Sequence, residues 1–128
     1  MISTNFNEQY KVDNSDQVVN LSVNIGERRY AITRLLLDGK PVPGTGPDRS
    51  FVRNFEIDLG TNGSLSAKTL VVSTIVYILL EDGKGTDVTI TLTGGVSTFE
   101  KTLEWNVIEG RGFVAYEGEF RFDKKADQ

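Results

Sequence analysis

Apolar and polar side chains alternate with a period of two along most of this chain, which is how strands that bury one face are written. Val19, Leu21, Val23 and Ile25 alternate with Val18, Asn20, Ser22 and Asn24. Phe51, Arg53, Phe55, Ile57 and Leu59 interleave with Val52, Asn54, Glu56 and Asp58, and Val88, Ile90 and Leu92 with Asp87, Thr89, Thr91 and Thr93. Further on, Phe99, Leu103, Trp105 and Val107 oppose Thr98, Glu100, Thr102 and Glu104, while Val114, Tyr116, Phe120 and Phe122 oppose Glu117, Glu119 and Arg121. No apolar stripe at helical spacing lasts three turns, so the pattern predicts an all-β chain with little or no helix.

Turn chemistry divides these strands at Gly26-Glu27, Asp38-Gly39, Asn62-Gly63, Asp82-Gly83, Gly94-Gly95 and Gly110-Arg111. With a short first strand near Phe6–Val12, the count reaches about eight antiparallel strands. That number suits a two-sheet sandwich of jelly-roll or immunoglobulin-like kind, with a small barrel as the alternative. Residues 1–128 read as a single domain whose last six, from Asp123, form a frayed polar tail. The third strand, Arg28–Leu37, changes parity between Tyr30/Ile32 and Leu35/Leu37, which predicts a bulge near Thr33-Arg34. All three prolines, Pro41, Pro43 and Pro47, fall in one irregular loop, Gly39–Asp48.

One strand breaks the alternation. From Leu70 to Leu80 both faces are apolar: Leu70, Val72, Val76, Ile78 and Leu80 on one side, Val71, Ile75, Tyr77 and Leu79 on the other. In a sandwich each sheet turns one face to water, and four such side chains left wet would forfeit roughly 1.5–3 kcal/mol each. Something must cover them. Either the proline-bearing loop or the first dozen residues lie across the outer face, or a second copy or another protein does.

Composition narrows the chemistry. The chain has 128 residues, 38% hydrophobic, with 14 Lys+Arg against 18 Asp+Glu and a net charge of -4, which argues against nucleic-acid binding driven by bulk charge. It contains no cysteine and no histidine. Disulfides, thiol nucleophiles, Cys/His zinc sites and imidazole acid/base chemistry are therefore closed. The stretch Leu70–Leu80 is too short to span a bilayer, and MISTNFNEQY has neither the basic nor the apolar region of a secretion signal. A cytoplasmic setting fits the lack of cysteine, although many exported domains lack it too.

Charge is distributed unevenly. Between Arg28 and Arg53 lie six basic residues, Arg28, Arg29, Arg34, Lys40, Arg49 and Arg53, against two acids, Asp38 and Asp48. Arginine forks grip carboxylates and phosphates, so this stretch is a candidate contact surface on an otherwise acidic chain.

Candidate catalytic and binding groups are few. A two-residue hairpin at Gly110-Arg111 would set Glu104 directly opposite Glu117, an acid pair at retaining-glycosidase spacing but without aromatic platforms for a sugar. Trp105 shares the parity of the core residues around it and reads as an anchor, so carbohydrate binding is not signalled. The turn Asp82-Gly83-Lys84-Gly85-Thr86-Asp87 has the look of a calcium-binding nonapeptide loop, yet such sites need stacked copies and one is present. Gly44-Thr45-Gly46 lacks the lysine and helix of a phosphate loop.

The sequence thus points to a non-enzymatic β-sandwich that works as an interaction or assembly module, a homo-oligomer or a subunit docking on another protein. Its interface candidates are Val71, Ile75, Tyr77 and Leu79 with Arg28, Arg29, Arg34, Arg49 and Arg53; no cofactor is expected, with a calcium ion bridging two loops at one end of the sandwich as the alternative. A carbohydrate- or small-ligand-binding module using end loops is the runner-up, and a small hydrolase with paired glutamates is third.

Overall fold

A computed structural model describes residues 2–26, 29–42, 51–52, 54–78, 85–105 and 112–124. In it the alternating segments become strands packed as two stacked sheets, not closed into a barrel. Eight are seven residues or longer: β1 (Ile2–Val12), β2 (Val18–Ile25), β3 (Tyr30–Leu37), β6 (Phe55–Thr61), β7 (Thr69–Ile78), β8 (Thr86–Thr93), β9 (Phe99–Trp105) and β10 (Gly112–Lys124). Two are dipeptides, β4 (Lys40–Pro41) and β5 (Phe51–Val52). The larger sheet runs β1-β10-β7-β3, with β4 and β5 both on the far side of β3, and the smaller runs β6-β2-β8-β9. The one described helix is a single turn, α1 (Asn62–Leu65), capped at Thr61, whose hydroxyl accepts from Ser64 N at 3.2 Å.

The core lies between the sheets. Leu70, Val72, Val76 and Ile78 of β7 join Val114, Tyr116, Phe120 and Phe122 of β10 on one side, and Leu21, Val23, Val88, Ile90 and Leu92 face them from the other. Edge strands are less covered: Phe55, Ile57, Phe99 and Trp105 are half-buried against this core, so Trp105 is the anchor its parity implied. Phe6 closes one side by stacking edge-on to Phe120, ring centroids 5.4 Å apart, with the Lys101 ammonium 5.2 Å over its ring.

Two tyrosine hydroxyls tie the sheets together at opposite ends of β8. Tyr116 donates to Thr86 O at 3.1 Å, and Tyr10 donates to Ser97 O at 2.6 Å while accepting from Gly95 N at 3.0 Å. Asn62 does similar work at the sandwich end. Fully buried, it accepts from Asp13 N at 3.1 Å and donates to Gln17 O and Gly94 O, each at 2.8 Å.

Four expectations need correction. β1 pairs with β10 in parallel, so one ladder departs from the antiparallel rule. The first dozen residues therefore lie in the plane of the larger sheet and do not cross its outer face. No bulge interrupts β3, which pairs with β7 in continuous register from Tyr30↔Tyr77 to Leu37↔Leu70. Its inward residues are Ala31, Thr33 and Leu35; Thr33 is tolerated because its hydroxyl bonds that of Thr74 directly opposite, at 2.8 Å. The register shift falls instead in the β2–β6 ladder, at Val19/Asn20. Finally, β9 and β10 belong to different sheets, so Glu104 lies opposite Asp87 and Glu117 opposite Ser73, and the two glutamates form no pair.

Candidate functional site

The outer faces of the two sheets differ in kind. On the smaller sheet the outward positions are Asn20, Ser22, Asn24, Glu56, Asp58, Thr89, Thr91, Glu100 and Thr102, which bond one another, as in Thr89 to Thr102 at 2.8 Å and Asn20 to Asp58 at 3.1 Å. That is a solvated surface. The larger sheet is polar outside toward β1, where Asn7, Gln9, Glu119 and Arg121 gather.

Across β3, β7 and β10 the outer face carries two apolar rows beside a polar and a mixed one, and the register fixes them. Tyr30, Tyr77 and Phe113 form the first; Ile32, Ile75 and Ala115 the second; Arg34, Ser73 and Glu117 the third; Leu36, Val71 and Glu119 the fourth. The aromatic row is continuous, with ring centroids 5.7 Å apart from Tyr30 to Tyr77 and 6.2 Å from Tyr77 to Phe113. Tyr30 and Leu36 remain 39% exposed and Phe113 43%. Covering the wet part of each would return about 1 kcal/mol. Beside these rows lies a groove of about 710 Å³, bounded by Ile32, Arg34, Ile75 and Tyr77 and at its end by Gly39 and Pro41.

The β3–β4 turn supports that end of the groove. Asp38 and Gly39 both adopt positive φ, 51° and 79°, the two-residue geometry that matches hairpin twist. The Asp38 carboxylate accepts from Thr69 N at 2.8 Å, and Asp38 N donates to Thr69 O at 2.8 Å, binding the turn to the start of β7.

Comparison with family models, with curated proteins and with solved structures finds no match to this chain. The surface therefore stands on its own geometry.

Of the residues the sequence singled out, Val71, Ile75 and Tyr77 lie together on this face with Arg34 among them. Arg29 does not. It is 7% exposed, with Nη2 donating to Gly85 O at 3.2 Å, because the stem of a residue just ahead of β3 turns in against the β8 end of the core. The basic stretch is accordingly no continuous patch where it is described. Leu79, Arg28, Arg49 and Arg53 lie outside the described residues, as do residues 43–50 of the proline-bearing loop and residues 81–84 of the calcium-like turn. Among the described residues no group of three acidic side chains converges as a metal site, and no helix is long and apolar enough to cross a membrane. Tyr30, Ile32, Leu36 and Phe113 were missed. The first three were legible in the parity of β3, had Thr33 been admitted as an inward residue.

Proposed function

We propose that this protein is a non-enzymatic interaction or assembly module whose contact surface is the outer face of β3, β7 and β10. One observation carries the reading: the apolar rows Tyr30–Tyr77–Phe113 and Ile32–Ile75–Ala115 stand outside the core while the opposite sheet keeps a polar exterior. Contiguous apolar patches on soluble domains mark contact sites, and aromatic residues beside an arginine are the composition of interface centres. The separation of Glu104 from Glu117 takes away the support of a paired-carboxylate hydrolase.

The test is whether the face tolerates charge. Ile75→Lys and Tyr77→Lys should remain folded by circular dichroism, because these side chains are outside the sandwich, while losing any association through this face. Unfolding of both variants would make the face part of the core and remove the reading.

A second reading, a small-ligand module, draws on the groove. Its volume of about 710 Å³ falls within the range of roughly 300–1,000 Å³ typical of ligand pockets, with Tyr77 as an apolar wall and Arg34 as a charged anchor. It predicts saturable binding of a small anionic compound with no change in the protein's mass.

A further inference from the structure

The third row of the outer face sets its symmetry. Arg34 and Glu117 flank Ser73 on neighbouring strands, opposite charges on either side of the smallest residue in the row. Strand spacing puts their Cα atoms about 10 Å apart. Both side chains are exposed, and among the described residues neither makes a hydrogen bond or ion pair. From this arrangement, and resting on the assembly reading above, we infer that the partner is a second copy of this chain, packed face to face about a two-fold axis that runs along β7 over Ser73.

Such an axis exchanges the two sides of β7 and keeps each row level with itself. Arg34 of one copy then stands over Glu117 of the other, and the reciprocal pair forms on the far side of the axis. Ile75 meets Ile75, Tyr77 meets Tyr77, Ile32 covers Ala115 and Tyr30 covers Phe113. A two-fold across the strands instead stacks Arg34 on Arg34 and Glu117 on Glu117, two like-charge contacts in a region being stripped of water. The charge pattern therefore favours the axis along the strands over the axis across them. Sheets pack about 10 Å apart, a gap that arginine and glutamate side chains together can span, and Ser73 at the centre obstructs nothing.

Sedimentation velocity tests this with surface charges alone, which leave the fold intact. The wild type should sediment as a species of twice the 14.2 kDa chain mass. Arg34→Glu and Glu117→Arg should each fall to the single-chain mass, since each brings two like-charge pairs together. Mixed in equal amounts the two variants should recover the doubled mass, because every pair across the axis is again opposite. The double variant Arg34→Glu/Glu117→Arg should dimerise by itself. Single variants that stay dimeric, or a mixture that stays at single-chain mass, overturn the two-fold. So does a wild type of single-chain mass, or one larger than a dimer. The assembly reading fails separately, through unfolding of Ile75→Lys and Tyr77→Lys.

Discussion

Tyr116 of the larger sheet donates its hydroxyl hydrogen to the main-chain oxygen of Thr86 in the smaller one, 3.1 Å away. Burial pushes its ionisation up to about 12, reinforced by the negative charges of Asp87 and Glu104. An unfolded tyrosine ionises near 10. The folded value is the higher one, so the stabilisation is complete below pH 10 and is lost as pH rises through 12. The full effect is about 2–3 kcal/mol. Urea unfolding between pH 9 and 12 should show that decline. Tyr116→Phe should start about 1 kcal/mol less stable and fall less steeply. Some slope should remain, because burial raises Tyr10 as well. An unchanged slope in Tyr116→Phe would show that this hydroxyl is not its source.

Asn62 serves three main-chain groups from one fully buried side chain. Asn62→Ala takes the side-chain partner from Asp13 N, Gln17 O and Gly94 O; Gln17 O keeps the Asn62 main-chain N–H at 2.9 Å, and a group left unsatisfied away from water costs about 1–3 kcal/mol. Water entering from the loop side relieves part of this. A loss of about 3 kcal/mol in urea unfolding is expected, and a loss under 1 kcal/mol would show that the three groups find other partners.

Thr33 and Thr74 form a buried hydroxyl pair at the middle of the β3–β7 ladder. Thr33→Val and Thr74→Val should each cost about 1–2 kcal/mol by orphaning the remaining hydroxyl. The double variant replaces both with similar apolar shapes and should cost less than either cost doubled. A double-mutant cycle in chemical denaturation measures this coupling, and additive costs would contradict it.

Gly94 and Gly39 both have positive φ, 93° and 79°, but their surroundings differ. A Cβ on Gly94 would collide with the carbonyl oxygen of Val18, which is main chain and cannot step aside, whereas a Cβ on Gly39 meets nothing within 4 Å among the described residues. Gly39→Ala should therefore cost about 1 kcal/mol, the backbone penalty alone. Gly94→Ala should cost at least 2 kcal/mol more, read as a lower melting temperature. Equal shifts would contradict the steric argument.

The strand faces were legible because period-two burial is local. Val114, Tyr116, Phe120 and Phe122 could be placed inward without knowing what β10 pairs with. Pairing was not legible, because Gly110-Arg111 looks like a hairpin turn whether its flanking strands join or part into separate sheets. The β3 error has a narrower cause. Thr33 resembles a solvent-facing residue until Thr74, 41 positions away, supplies its hydrogen bond. The proposed contact face was half visible: Val71, Ile75 and Tyr77 came from β7 alone, while Phe113 required the β7–β10 register.

The parallel β1–β10 ladder also decides how the molecule can be linked or rewired. Ile2 is level with Val114 and Val12 with Lys124, so the start of the first strand and the finish of the last sit at opposite poles, about 33 Å apart. Circular permutation would need a linker of some ten residues or more to bridge them. Tandem copies, by contrast, would string pole to pole like beads. In the dimer inferred above, the axis along β7 leaves both copies' Ile2 at the same pole, so two cargoes fused there would be held side by side.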